Sequence, residues 1–319
     1  MNHPFETRKA TLASMPGARP TDLFMPAQSS TLVYLIHGVT GTPLEMKYLA
    51  RKLSQQGWDV YLPTLPGHCL RLRDMVRSNE EDWLRHVQTQ LEFCRSIYPR
   101  LIVGGLSAGA LFALQASTTI SLDGIVVLSP TFFYDGWNSP WTLRLLPFGI
   151  KRLPTFLQYL FIHLDGYPYG IKEPALQRRI REAYHPLYRL RAFLRRFRSE
   201  TPQLPQRSNS TEAVGYPIYS LKTLADLDRL YEIVKGTLHR VTAPTVILQS
   251  MEDDYTSPRN AELVYDTIRS SKKRLVLLDD CYHVITIDKK RDVVAKEVSK
   301  FIESCVGSLA NSELAALRG

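Results

Sequence analysis

Leu101-Ile-Val-Gly-Gly105-Leu106-Ser107-Ala108-Gly109-Ala110 runs from a short apolar segment into a small-residue turn that carries one serine. Leu111-Phe-Ala-Leu-Gln-Ala116 follows and reads as a helix. Gly105 to Gly109 fits G-x-S-x-G, in which a serine sits on a sharp strand-to-helix turn. The flanking glycines make physical sense there. A side chain at either position would collide with the neighbouring strand or helix, and the serine must tolerate a strained backbone. Gly, Ser and Ala are common, so the pentapeptide alone is also compatible with a glycine-rich structural turn. The strand before it and the helix after it give the catalytic reading its weight.

Working outward, Thr31-Leu-Val-Tyr-Leu-Ile36 is a continuous apolar run of the kind a buried parallel strand shows. It ends in His37-Gly38-Val39-Thr40-Gly41-Thr42-Pro43, a loop where backbone can approach something closely. Leu44 to Gln56 has apolar residues at helical spacing and is closed by Gly57. Asp59 to Pro63 is a further strand, with a turn at Pro66-Gly67-His68. Asn79-Glu-Glu-Asp-Trp83 opens a helix that runs to about Tyr98, with a capping residue and acids where the helix dipole favours them. Gly124 to Pro130 is a fourth strand.

This alternation predicts an α/β fold built on a doubly wound, mostly parallel sheet. It stops at Pro130. It resumes with Ala243 to Ser250, a helix from about Pro258 to Arg269, the strand Arg274 to Leu278 and a last helix from about Lys289 to Ser304. The expected organisation is therefore a core from residues 1–130 and 236–305, a large inserted cap at 131–235, and a C-terminal tail at 306–319. Residues 1–28, broken by Pro4, Pro16, Gly17, Pro20 and Pro26, read as a lead-in with one short edge strand.

Open α/β sheets bind ligands outside the carboxyl ends of their strands. Just after the strand ends stand Ser107, then Glu252, Asp253 and Asp254, then Asp279, Asp280 and His283. Nucleophile, acid and base thus follow in the chain order Ser, Asp, His, the order of an α/β-hydrolase. A serine hydroxyl is a weak nucleophile until an imidazole takes its proton, and a carboxylate fixes the tautomer of that imidazole. Each residue alone has a structural explanation as a helix cap or a buried polar group. Three in the required order, at equivalent strand ends, point to a triad.

The sequence resembles the monoacylglycerol lipase and bacterial carboxylesterase branch of the α/β-hydrolase family. The matching pieces are Leu35 to Pro43, Pro66-Gly-His68, Glu81-Asp-Trp83, Gly105 to Gly109, Ala243-Pro-Thr-Val246, Glu252 to Pro258 and Tyr282 to Asp288. The resemblance implies an α/β-hydrolase fold with a mainly helical cap and a serine esterase activity without a cofactor. It selects Asp253, five residues before Pro258, as the acid, and the backbone amides of Val39 and Ala108 as the oxyanion hole. The residues agree with that last point, since Gly38 and Gly41 free the loop and Ala108 begins a helix. His37 and His68 lack a carboxylate or cysteine at ligand spacing, so no metal is expected; the family keeps both as loop-shaping residues. One departure is Tyr282, where the family usually has glycine or serine, which leads us to expect a reshaped pocket.

The 319 residues suffice for one large α/β domain with an insertion, and 44% are hydrophobic, enough for a sizeable core. Four scattered cysteines without a C-x-x-C pair suggest reduced thiols. The first ten residues lack the apolar core of a signal peptide, and no run reaches the roughly 18–20 apolar residues of a spanning helix. The expected compartment is the cytoplasm, with the protein either free or peripheral to the inner membrane face.

The net charge of +9 is concentrated: residues 136–235 hold 16 Lys/Arg against 8 Asp/Glu, a balance of +8. Within them, 137–162 is strongly apolar, and 177–198 carries eight arginines in 22 residues. Leu187, Leu190, Phe193, Leu194 and Phe197 recur at helical spacing, so 187–198 reads as a basic amphipathic helix. It could solvate a cap helix, lie in an anionic membrane surface, or hold the phosphate of an acyl carrier. No nucleic-acid partner is expected, because no reader motif accompanies the charge. The composite expectation is a serine hydrolase acting on lipid-like acyl esters such as monoacylglycerols. The alternative is a thioesterase acting on acyl chains bound to a carrier protein or CoA.

Overall fold

In a computed structural model of the chain, the described residues are 12, 14–139, 162–164, 166–183 and 218–307. Seven strands form the main sheet: β1 (Leu23–Met25), β2 (Thr31–Ile36), β3 (Asp59–Leu62), β4 (Arg100–Leu106), β5 (Gly124–Leu128), β8 (Thr245–Ser250) and β9 (Lys273–Leu278). Their order is β1-β3-β2-β4-β5-β8-β9, and only β1 runs antiparallel to its neighbour. Every residue of β2, β3, β5 and β8 is buried, which is why these segments read as continuous apolar runs. A separate antiparallel pair joins β6 (Ile162–Leu164) to β7 (Ile218–Ser220).

The period-two geometry of β2 divides the core into two layers. Leu32, Tyr34 and Ile36 face one layer, formed with α3 (Glu80–Ile97), α4 (Ala108–Ala116), α6 (Leu221–Thr237) and α7 (Arg259–Thr267). Val33 and Leu35 face the other, formed with α1 (Lys47–Ser54) and α8 (Arg291–Val306). A short helix α2 (Leu72–Arg77) and α5 (Pro174–Ala183) complete the set among the described residues. The predicted cap of α3 is present, with the Asn79 side chain accepting the Asp82 N–H at 2.9 Å.

Sequence periodicity shows no clear β/α alternation over 131–235. Within that span α5 and α6 are formed, and α6 lies against α4 and α3 of the core. Its Leu224, Leu227, Leu230, Tyr231 and Val234 are buried there. The apolar stretch 140–161 and the arginine-rich 187–198 lie outside the described residues.

After β2 the chain steps to β3 on one side, then returns to β4 on the other. Between β2 and β4 the winding therefore reverses, and the loops leaving the two strands flank a crevice at their carboxyl ends. The His37–Pro43 loop and Ser107 both stand there.

Candidate active site

Ser107 follows β4 and caps α4 with φ 58° and ψ −122°, a conformation a non-glycine residue adopts only under constraint. The glycines around it supply the constraint. A Cβ on Gly105 would stand 2.2 Å from the Gly109 backbone carbonyl carbon, and one on Gly109 would stand 2.3 Å from Ile36 O. Strand, turn and helix thus meet at backbone contact, and the serine is pushed out at the strand end.

The Ser107 hydroxyl lies 2.9 Å from the Thr131 hydroxyl. Among the described residues this, and not a bond to His283, is its side-chain hydrogen bond. Thr131 is buried just beyond β5, and sequence reasoning did not single it out. Its hydroxyl also makes a long 3.4 Å bond to Ser129 O, while the Ser129 hydroxyl donates to His283 O at 2.8 Å. The end of β5 therefore links the serine turn to the histidine loop.

Asp253 and His283 are brought together directly. Asp253 Oδ2 is 2.8 Å from His283 Nδ1, and both residues are buried. The carboxylate is held on every side. Its Oδ1 accepts the Tyr255 and Thr256 N–H groups at 2.9 and 2.8 Å, and its Oδ2 accepts Gln249 Nε2 at 2.9 Å and the Thr256 hydroxyl at 3.0 Å. The neighbouring carboxylates do other work. Asp254 accepts the backbone N–H groups of Gly170 at 2.9 Å and His283 at 3.3 Å, and Glu252 pairs with Lys172 Nζ at 2.5 Å.

The electrostatics follow from this placement. Burial opposes charge on His283, but Asp253, with Asp254 and Glu45 adding to it, outweighs burial and raises its pKa above the usual 6.5. Asp254 is pushed up to about 7 by burial and by the charge of Asp253. Tyr255 packs edge-on against the His283 ring at 5.3 Å. Tyr282, expected to reshape the pocket, sets its ring against Trp137 at 5.5 Å, under the ammonium of Lys172 at 5.7 Å.

The loop of Val39 is shaped by the two histidines that could have suggested a metal. His37 Nε2 accepts the Leu65 N–H at 3.2 Å while Nδ1 donates to Gly38 O at 2.7 Å. His68 Nε2 accepts the Thr40 N–H at 3.1 Å while Nδ1 donates to Pro66 O at 3.0 Å. Each ring uses one nitrogen as donor and one as acceptor, and burial depresses the pKa values to about 3 and about 4, so both stay neutral. Neither the Val39 nor the Ala108 N–H is bonded to another described residue. Ala108 is the first residue of α4, so its N–H is free by helix geometry.

Among the described residues no group of three His, Cys, Asp or Glu side chains is arranged to hold a metal ion, and no helix is long and apolar enough to cross a membrane. A half-buried serine on a strained turn, a buried Asp–His pair and two free amides at one sheet end can perform acyl transfer.

Residues 27–290 match the family described as serine aminopeptidase, S33. The chain is 24% identical to a carboxylesterase of Bacillus subtilis (strain 168) over 273 residues, covering 85% of this chain and 92% of the relative. It is 26% identical to a thermostable monoacylglycerol lipase of Bacillus sp. (strain H-257) over 276 residues, covering 86% of this chain and 91% of the relative. Among solved structures, a soluble variant of monoglyceride lipase from Saccharomyces cerevisiae in complex with a substrate analogue superposes with a TM-score of 0.68 at 15% identity. That match covers 89% of this chain and 91% of the other.

Proposed function

This chain belongs to the serine aminopeptidase S33 family of α/β-hydrolases, and we propose that within it the protein hydrolyses lipid-like carboxylic esters such as monoacylglycerols. It is a carboxylic ester hydrolase that works through an acyl-enzyme, in keeping with its carboxylesterase and monoacylglycerol lipase relatives. Ser107 is the nucleophile, His283 its base and Asp253 the group that orients His283; the amides of Val39 and Ala108 hold the oxyanion. The observation that carries the assignment is the 2.8 Å Asp253–His283 pair at the sheet end that also carries Ser107.

In the first step His283 takes the hydroxyl proton of Ser107 as Oγ attacks the acyl carbon. The negative charge moves to the carbonyl oxygen, where preorganised N–H groups stabilise it. The imidazolium then gives its proton to the departing alcohol. Water, deprotonated by the same imidazole, releases the acid. For the cycle to start, the Ser107 hydroxyl exchanges its bond to Thr131 for one to His283.

Residues 131–235 act as the cap, and the basic stretch 177–198 draws the enzyme to an anionic surface or carrier at the inner membrane face. Exposed Arg178 and Arg179 on α5 support that role. They also favour a second reading, in which the same machinery cleaves acyl thioesters on a carrier protein or CoA. A panel of monoacylglycerols, p-nitrophenyl esters and acyl thioesters of graded chain length, run on the wild type and on Ser107→Ala, tests both. A preference for monoacylglycerols and medium or long esters is expected. Turnover of thioesters alone replaces the first reading with the second.

A further inference from the structure

Asp288 is fully buried, and its carboxylate accepts four backbone N–H groups from two separate parts of the chain. Oδ2 accepts Tyr282 at 2.7 Å and Lys172 at 2.8 Å; Oδ1 accepts Glu173 and Lys289, both at 2.9 Å. Tyr282 immediately precedes His283, whereas Lys172 and Glu173 belong to the strap 166–173 that leads into α5. Other bonds join the same two segments. The Val284 N–H donates to Gly170 O at 2.8 Å, and Asp254 bridges the Gly170 and His283 N–H groups. Gly170, at φ 72°, lets the strap pass at backbone distance, since a Cβ there would stand 2.9 Å from Val284 Cγ2 and 3.3 Å from His283 Cβ. Ile171, Ile180 and Ile287 close a small apolar cluster against Val284.

A helix-capping aspartate satisfies N–H groups of its own turn. Asp288 does that only at Lys289; its other three donors lie across the junction of the strap and the histidine loop. An asparagine could not replace it, because its one oxygen serves two donors while its NH₂ would confront the other two.

We propose that Asp288 is a positioning residue for His283: it clamps the backbone of the histidine loop to the 166–173 strap, so that the imidazole stays aligned between Asp253 and Ser107. The role rests on the serine-hydrolase reading given above. Alignment of this kind matters because a misplacement near 1 Å can cost about 10² in rate.

The test is Asp288→Asn assayed on a short neutral p-nitrophenyl ester, with kcat expressed per site titrated by a fluorophosphonate so that only competent molecules count. The expected result is a fall in kcat on the order of 10–100-fold with KM unchanged. The acid limb of the pH–rate profile should also move. The groups facing the imidazole, Asp253, Asp254, Glu45 and Tyr255, are untouched by the substitution, but Asp288→Asn also removes a charge, so the movement reports geometry where Ile171→Ala, which removes none, reproduces it. Ile171→Ala loosens the strap through packing alone and should lower kcat in the same direction, even where Asp288→Asn folds poorly. A lower melting temperature with kcat per titrated site and acid limb unchanged in these variants assigns Asp288 to stability alone and overturns the proposal. A wild type that neither hydrolyses the ester nor reacts with the probe overturns the serine-hydrolase reading, and this role with it.

Discussion

Asp253 and Asp254 are adjacent in the chain yet their carboxylates serve different parts of His283: Asp253 meets the ring at Nδ1, 2.8 Å away, and Asp254 meets the backbone N–H at 3.3 Å. Only the first can set the tautomer. Asp253→Asn should therefore lower kcat by on the order of 10³–10⁴, while Asp254→Asn should stay within about tenfold of wild type. Steady-state kinetics on one ester checks this. Equal losses would mean that the ring contact is not what matters.

Ser107 should be the single site of fluorophosphonate labelling, and Ser107→Ala should lower kcat by roughly 10⁴–10⁶ with the fold intact. Thr131→Val makes the useful contrast. It removes a bond between two neutral hydroxyls, worth about 0.5–1.5 kcal/mol, that the serine gives up before it reacts, so kcat should change by no more than about tenfold. Intact-protein mass spectrometry settles the labelling, and probe incorporation into Ser107→Ala would exclude it as the nucleophile.

Two raised pKa values give a signed pH dependence. His283 must be neutral to accept a proton, so the acid limb of kcat/KM should lie above pH 6.5 and shift down in Asp254→Asn, which removes one of the charges raising it. For stability, Asp254 ordinarily titrates at 3.8 and is pushed up to about 7 in the fold, so the folded state keeps a proton the unfolded chain releases. Stability is therefore lost as pH rises from about 4 to 7, and the raised pKa of His283 acts in the same direction above 6.5. The melting temperature of Asp254→Asn relative to wild type should increase across that window. A constant difference would show that Asp254 ionises normally in the fold.

What could be read in the sequence was what local pattern encodes. The buried strands announced themselves as apolar runs, Asn79 with Asp82 announced a helix start, and Gly105 with Gly109 announced backbone contact. The carboxyl ends of those strands then nominated Ser107, Asp253 and His283. Thr131 and Asp288 carry no such pattern, because their partners are 24 residues away at Ser107 and 116 residues away at Lys172. In 221–237 the leucines recur at helical spacing, but what that helix packs on, α4 and α3, is a tertiary fact that periodicity does not encode.

The excess charge in 136–235 leads to the last prediction. On α5 the apolar Ile180 is buried while Arg178, Arg179 and Arg181 face outward, and Arg181 lies 5.0 Å over the Tyr167 ring. Isolated surface charges contribute only about 0–1 kcal/mol to stability, so Arg178→Gln with Arg179→Gln should leave the melting temperature nearly unchanged. If the arginines recruit an anionic surface or carrier, the same pair, extended to Arg195 and Arg196, should raise KM for substrate presented on anionic vesicles or as acyl-CoA. Activity on a small neutral ester should survive, because none of these side chains is needed for the chemistry. The salt dependence of the anionic reaction should weaken in parallel, since screened long-range attraction is what has been removed. KM values that stay at the wild-type level on vesicles, acyl-CoA and acyl carrier protein alike would make the arginines a solvated helix face and nothing more.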